Sequence, residues 1–495
     1  MSSLKQRTVS GVLWSGMARM ATQLVLFVVM AILARLLSAD DFGIVGMAAI
    51  ITVAIVMVND KGLGMSIVQN KDLAETHLST LFWTSVGFGL LLYLISFIAS
   101  FPLAVFFRQE IVQPVVAIIA LGFLIGGFGI VQKSLLTREM AFKQLAVVEV
   151  SATLAGGVLA IVLALMGFGV WSLVANVLAR DLITVLVLWF ICKWRPMLHF
   201  SSAELREYIA FSSTVLANDG AIYLITNVDV TIIGRVLGSA ALGVYNFALY
   251  MVKLPVTRLS SIVAKVIFPA FSSLQNDPDK FKAAYLEAVK YISLITFPVL
   301  AGVAVFANEF VIIVLGEKWF AMARPLVILT PMAMLKSVGT IKNSVLMAVG
   351  RPDIELKWNL FYLLPLVGAV YYGARYGIVG VATAFTMLYV VTFPIIQHIT
   401  NKQISVSPAE FCRSLAGSAI ATSIMVLIAL AVRYCKVVFN LPDLVVLLAG
   451  VAIASAAYLV TLWLIDRDDL LGFVRMMKRE KTTPGISMTE VVISE

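Results

Sequence analysis

Charge is scarce in this chain: 13% of its 495 residues are Asp, Glu, Lys or Arg, against 61% that are apolar. No water-soluble fold can cover so much apolar surface with so few charges, so the solvent must be lipid. Cysteine is nearly absent. Cys192, Cys412 and Cys435 stand alone, none in CxxC spacing, so neither a disulfide framework nor a paired-cysteine metal site is indicated. The histidines, His77, His199 and His398, fall in or beside expected cytoplasmic loops and read as solvated residues. No P-loop, His-Glu-x-x-His or nucleophile elbow occurs, so the chain does not itself hydrolyse ATP, and nothing in it calls for a cofactor. Long polar stretches are missing too. The longest are 193–208, 272–284 and the tail after Asp466, so almost nothing is expected to fold outside the membrane.

What is present is span after span of hydrocarbon. A crossing needs about 20 mostly apolar residues. Segments of that kind fall near 11–33, 43–65, 80–107, 113–133, 145–166, 170–192, 209–236, 242–271, 285–307, 325–349, 357–375, 378–399, 413–433 and 443–465. They predict an all-α polytopic membrane protein of about fourteen helices. The first apolar run is too long for a signal-peptide core and lacks a small-residue cleavage site, so it reads as a retained span.

Lys and Arg set the orientation. With the N-terminus in the cytoplasm, the inner loops and tails hold Lys61, Lys71, Lys133, Arg138, Lys143, Lys193, Arg195, Arg351, Lys357 and Lys402, while outer loops hold few, among them Arg108, Lys318 and Arg324. That is the positive-inside pattern, and it puts both termini in the cytoplasm. The net charge of +9 is spread one loop at a time without a patch, so no nucleic-acid partner is expected. The outer loop near 308–324, with Glu309, Glu317, Lys318 and Arg324, is short and reads as structural.

The chain repeats itself. Arg35-Leu36-Leu37-Ser38 closes one span and Arg235-Val236-Leu237-Gly238 another, and Gly43 and Gly243 open the next spans in the same register. Ser134-Leu135-Leu136 pairs with Ser344-Val345-Leu346, and Gly169-Val170-Trp171-Ser172-Leu173 with Gly377-Ile378-Val379-Gly380-Val381. A six-span repeat unit is even, so both halves point the same way about an axis along the membrane normal. The expected organisation is a first lobe over 1–192, a connector over 193–208, a second lobe over 209–400, two further spans within 401–465 and a cytoplasmic tail over 466–495. Capping signals at Ser201-Ser202-Ala203-Glu204, Ser407-Pro408-Ala409-Glu410 and Asp277-Pro278 mark helix starts. Pro102, Pro255, Pro269, Pro298, Pro331, Pro365 and Pro394, and the glycines 122, 126, 127 and 129 of span four, are either ordinary membrane-helix composition or bending points.

A charge at bilayer depth costs upward of about 2.5 kcal/mol, so it faces protein or water. At 100° per residue the few charges lie on stripes. Ser15, Arg19, Thr22 and Gln23 share a face of span one; Asp219, Tyr223 and Thr226 share one of span seven, flanked by Asn218 and Asp229. Asn246, Tyr250, Lys253 and Thr257 line span eight, Lys336, Thr340 and Asn343 span ten, and Asn176, Arg180 and Thr184 span six. Such stripes fit a shared aqueous cavity. They also fit charges that lock the bundle in pairs, Arg19 with Asp219 or Lys253 with Asp229, and breakable pairs can act as gates. Arg19, Lys253 and Lys336 suit a phosphate or diphosphate; Tyr223 and Tyr250 suit a sugar ring, though packing alone explains them too; Asn246 shares their face. Asp219, Asp229 and Arg180 are candidates for coupling or gating.

Several short motifs carry a resemblance. Ser10-Gly11-Val12-Leu13-Trp14-Ser15, Leu33-Ala34-Arg35-Leu36-Leu37 with Asp41-Phe42-Gly43, and Ile67-Val68-Gln69 resemble polysaccharide exporters. Ile267-Phe268-Pro269-Ala270-Phe271 and Leu315-Gly316-Glu317-Lys318-Trp319 resemble the colanic-acid-exporter branch, and the similarity runs from about residue 5 to 465. The resemblance is to the multidrug/oligosaccharidyl-lipid/polysaccharide exporter superfamily. It implies two six-helix lobes around a central cavity, two extra C-terminal helices, and movement of undecaprenyl-diphosphate-linked oligosaccharide between leaflets of a bacterial inner membrane by alternating access.

The sequence is therefore expected to encode a flippase, not an enzyme, serving exopolysaccharide or lipopolysaccharide assembly. A coupling cation, proton or sodium, and a polysaccharide polymerase machinery are further expected partners. A cation-coupled drug exporter is the nearest rival, but it calls for an acidic, aromatic-rich cavity. A membrane polymerase or ligase acting on the same lipid-linked sugar would want a large outer loop, and a scaffold role leaves the charges at depth without a purpose.

Overall fold

The structure, a computed structural model, describes residues 20–52, 67, 75–201, 227–273, 277–465 and 467. Every regular element among them is helical. Eight of these helices are long and apolar enough to cross a membrane, and a ninth crossing is made if Val112–Gly127 and Ile130–Arg138, bent by 47°, count as one. The helices Ser239–Ser273 and Pro352–Ala374 lie where spans eight and eleven are expected. Much of the expected first, second and seventh spans, and residues 202–204 of the expected capping signal, fall outside the described residues. The chain is an all-α, multi-pass membrane protein.

The lipid-facing sides follow from composition. On the Glu75–Phe107 helix, Leu91, Leu94, Ile98 and Phe101 are exposed, while Leu78, Leu81, Ser85, Leu92 and Ser96 are buried. The buried serines spend their hydroxyls on their own helix, Ser85 on the Leu81 carbonyl and Ser96 on that of Leu92, both at 2.8 Å. A small polar residue thereby packs tightly without an unmet hydrogen bond. Among the described residues, the one span bent by more than 40° does not bend at a proline. It breaks at Phe128-Gly129, where the helix ladder is interrupted between Gly127 and Ile130.

Contacts divide the chain into two compact units, Met1–Gly243 and Val244–Glu495. In the first, the helices Phe142–Leu165 and Val170–Ile191 form a hairpin whose turn uses Gly167 (φ +84) and Gly169 (φ +53). Arg195 closes the second helix by donating to the carbonyls of Cys192 (2.6 Å) and Trp189 (2.7 Å), satisfying C-terminal acceptors that would otherwise be orphaned. Trp83 and Ser79 hold the following strand of chain through Met197, so the start of the 193–208 connector is strapped to this unit.

In the second unit the Pro278–Val305 helix is central. Asp277 caps its start by accepting from the Lys280 amide at 3.2 Å, with Pro278 at the first helical position. Hydroxyl pairs join it to its neighbours: Thr296 to Ser337 at 2.8 Å and Ser418 to Ser293 at 2.7 Å. Tyr285, Gln397 and Asn401, all buried, bond one another across to the Gly377–Gln403 helix. Each interhelical bond of this kind is worth about 0.6–2 kcal/mol in lipid. The Pro408–Phe439 helix begins at the expected capping box, Ser407 and Glu410 bonding reciprocally at 2.9 and 3.2 Å.

Candidate functional site

The Ser239–Ser273 helix carries the most telling pattern. Tyr245, Ala248, Leu249, Val252 and Val256 are buried on it, whereas Tyr250 and Thr257 are exposed and Asn246 and Lys253 half-buried. At 100° per residue these last four fall within about 60° of arc. The open face of this helix is thus its polar face, the reverse of a lipid-facing surface. The Lys253 ammonium has no ion-pair partner among the described residues. On that open face the ammonium can meet water or an anion.

In the first unit Arg180 sits near the middle of the Val170–Ile191 helix, exposed and without an ion pair among the described residues. From there each helix end is about 15 Å away, beyond the reach of an arginine side chain, so it cannot snorkel out of the hydrocarbon. The same helix exposes Leu182, Leu186 and Phe190. Leu182 and Leu186 lie roughly 120–160° round from Arg180, while Asn176 and Thr184 lie within about 40° of it. One exposed face suits lipid and the other suits water.

Lys336 and Thr340 are half-buried on span ten, and Asn343 is exposed. The helix breaks between them, Ala323–Gly339 giving way to Ile341–Ala348. Asp229 is 3% exposed, its carboxylate accepting from the Val230 amide at 2.9 Å in the first turn of Val228–Leu237, where a negative charge complements the helix dipole. Arg19, Asp219 and Tyr223 lie outside the described residues.

Two groups escaped the sequence reading. Lys342 and Glu355 pair at 2.6 Å, with the Asn343 amide, its nitrogen turned to the carboxylate, 3.2 Å from both oxygens. Span eleven was expected to begin at 357, which left Glu355 in a loop. Pro352 in the first turn, with Asp353 and Glu355 beside it, was the signal that the helix starts earlier. Glu309, read as a loop residue, is buried and held by Arg433 and Lys436.

The repeat also has a physical meeting point within the first unit. A Cβ on Gly43 would lie 1.8 Å from the Ser239 carbonyl oxygen, and one on Gly243 would lie 1.9 Å from that of Ala39. Residues 39 and 43 correspond to 239 and 243 in the repeat, so the contact is reciprocal, as at a two-fold axis. Only glycine lets the two turns touch backbone to backbone. Ser239 donates to the Asp40 carboxylate and accepts from Gln109 at 3.4 Å, and Arg235 donates to the Phe106 carbonyl while its guanidinium lies 5.4 Å from the Phe106 ring.

Comparison with known proteins adds a family and a fold. Residues 32–324 match the family described as "Polysaccharide biosynthesis protein". The chain is 29% identical to the lipopolysaccharide biosynthesis protein WzxC of Escherichia coli (strain K12), over 79% of its own length and 80% of that protein's. It is 29% identical to the teichuronic acid biosynthesis protein TuaB of Bacillus subtilis (strain 168), over 93% and 96%, and 27% identical to the succinoglycan biosynthesis transport protein ExoT of Rhizobium meliloti (strain 1021), over 94% and 95%. Among solved structures, the lipid II flippase MurJ in an inward closed conformation superposes with a TM-score of 0.73 at 13% identity, over 92% of this chain and 99% of that one. An inward-facing multidrug resistance transporter of the MATE family gives 0.61 at 18% identity, over 78% and 94%. At those identities the structural likeness speaks to fold alone.

Proposed function

Because the chain belongs to the polysaccharide biosynthesis family, we propose that it is a flippase that moves polyprenyl-diphosphate-linked oligosaccharide from the cytoplasmic to the outer leaflet of a bacterial inner membrane, by alternating access. Relatives named for lipopolysaccharide biosynthesis and for succinoglycan transport support the cargo class. The single observation that carries the reading is the open polar face of the Ser239–Ser273 helix with Lys253 on it. A membrane helix buried on its apolar sides and open on its cationic side lines a wet path, and a cation there favours an anionic head.

Arg180 provides the same chemistry in the first unit, and Tyr250 and Asn246 provide a flat ring and an amide for a saccharide. Lys336, with Arg19, is assigned to the diphosphate and Tyr223 to a sugar ring. Asp219 and Asp229 are the candidates for a coupling proton or sodium ion. The bilayer supplies the solvent for the polyprenyl tail, so only the polar head needs the path. Both termini lie in the cytoplasm in this reading.

The test is a deletion strain complemented with variants. Loss of the chain should stop surface polysaccharide and leave lipid-linked repeat units protected in the cytoplasmic leaflet. Lys253→Met and Arg180→Met should each lower the flipping rate at least tenfold at normal membrane abundance, and Lys253→Arg should recover much of it. A deletion strain that builds its polysaccharide normally overturns the reading.

A further inference from the structure

Where span ten breaks, three helices of the second unit bring together a set of groups that no transport step above uses. Lys342 and Asn343 come from Ile341–Ala348, Glu355, Trp358 and Tyr362 from Pro352–Ala374, and Tyr389 from Gly377–Gln403. Lys342 and Asn343 converge on the Glu355 carboxylate at 2.6 and 3.2 Å. The Trp358 and Tyr362 rings stack, centroids 6.4 Å apart and planes 20° from parallel, and Tyr389 is within electrostatic reach of both Tyr362 and Glu355. The geometry points to a saccharide-docking shelf, in which a sugar ring lies against the Trp358 indole while its hydroxyls exchange hydrogen bonds with Glu355, Asn343 and Lys342. It rests on the flippase reading and names the part of the cargo that this site takes.

Three features separate a shelf from a mere packing cluster. The first is direction. Leu356, Leu360, Leu364 and Val367 form one exposed apolar face of their helix, and Glu355, Trp358 and Tyr362 point about 150° away from it, with the exposed Phe361 ring beside Trp358, centroids 5.8 Å apart. The second is openness. Lys342 and Glu355 are 14% and 24% exposed at their side chains, Asn343 is exposed and Trp358 half-buried, so a ligand reaches the polar groups without unfolding anything.

The third is charge. Lys342 already neutralises Glu355, so the site repels neither a neutral polyol nor its neighbours, and it offers no net charge to a bare phosphate or a metal cation. A carboxylate, a carboxamide and an ammonium beside a flat apolar ring match vicinal hydroxyls on one face and C–H groups on the other. The shelf also lies close to water: Lys357, one residue before Trp358, is 76% exposed at its side chain and paired with Asp353 at 3.0 Å. That is where a sugar head would meet the protein before it enters the bilayer's depth.

The experiment uses the full chain purified into lipid nanodiscs, probed with farnesyl diphosphate and with farnesyl diphosphates bearing a hexose or an N-acetylhexosamine. Trp358→Ala and Glu355→Gln should each weaken the sugar-bearing probes at least tenfold and the bare diphosphate less than twofold. Trp358→Phe, which keeps a stacking face, should return to within about threefold of the parent, and all variants should remain monodisperse. Equal weakening of bare and sugar-bearing probes, no weakening at all, or a parent protein that does not distinguish them overturns the shelf. Failure of the flippase reading is seen separately, in a deletion strain that still exports polysaccharide.

Discussion

Glu309 is 1% exposed, and its Oε1 forms an ion pair with Arg433 Nε at 3.2 Å and accepts from Lys436 Nζ at 3.3 Å. Lys436 is shared with Asp443. Removing one member of a buried ion pair costs about 3–5 kcal/mol because the other is left uncompensated. The two cations are about a third exposed, so water recovers part of that, and Glu309→Ala should cost about 2–3 kcal/mol. Thermal unfolding in detergent should show it as a lowered midpoint, with Glu309→Gln less affected. Asp353 makes the opposite case. Hydrogen bonds from Arg351 and then Lys357 hold its carboxyl well below the usual range, at a partly exposed site before the expected span. A depressed carboxyl stabilises above its ordinary pKa of 3.8, and that contribution disappears as pH falls through the folded-state value. Asp353→Asn should therefore trail the parent slightly at neutral pH and converge with it in acid, read from midpoints across a pH series. Asp353 is legible from its neighbours in sequence, two and four residues away. Glu309 is not, since its partners lie more than a hundred residues on and no local pattern announces them.

Among elements, the turns at 37–43 and 237–243 show how far a repeat can be read. Their shared register is visible in the letters, Gly43 answering Gly243. That each glycine faces the other turn's carbonyl is visible only once the chain is folded, because symmetry in sequence does not say which equivalent surfaces touch. Gly43→Leu would drive its side chain into the Ser239 carbonyl, with no flexible group there to yield. In a chain freed of Cys192, Cys412 and Cys435, a cysteine pair introduced as Asp40→Cys and Ser239→Cys should cross-link under mild oxidation and halt transport until reduced. Adding Gly43→Leu should abolish the cross-link while the protein remains in the membrane. Cross-linking that survives Gly43→Leu would show that the two turns do not depend on the glycine contact. The polar stripes behave likewise. Period alone places Asn246, Tyr250, Lys253 and Thr257 on one face, but only the burial of Tyr245, Leu249, Val252 and Val256 shows that face to be the open one.

For the molecule as a whole, the sequence reading leaves the last two spans outside the repeat, and their contacts show that they are not apart from the rest of the second unit. Pro408–Phe439 and Asp443–Ile465 pack into a single apolar cluster with Tyr291, Leu294, Ala301 and Val305 of the Pro278–Val305 helix and with Phe306 just past its end. Polar ties reinforce it: Tyr458 donates to the Leu294 carbonyl at 2.7 Å, Ser418 to Ser293 at 2.7 Å, and Arg433 to the Val305 carbonyl at 3.1 Å. Hydropathy can count such spans but cannot say what they lean on, since lipid and protein are equally apolar neighbours. A chain ending after Gln403 would strip these partners and leave Glu309 without its two cations. It should insert, since the positive-inside signals of the earlier loops are intact, yet lose the second unit's stability. Protease sites placed at Gly316, between the short helices Val311–Leu315 and Glu317–Met322, should be cut at least tenfold faster in the truncated chain, and export should fail. Supplying 404–495 as a separate fragment should restore both if those contacts are what matters. Undiminished export by the truncated chain would mean instead that the last pair is an appendage to a second unit complete without it.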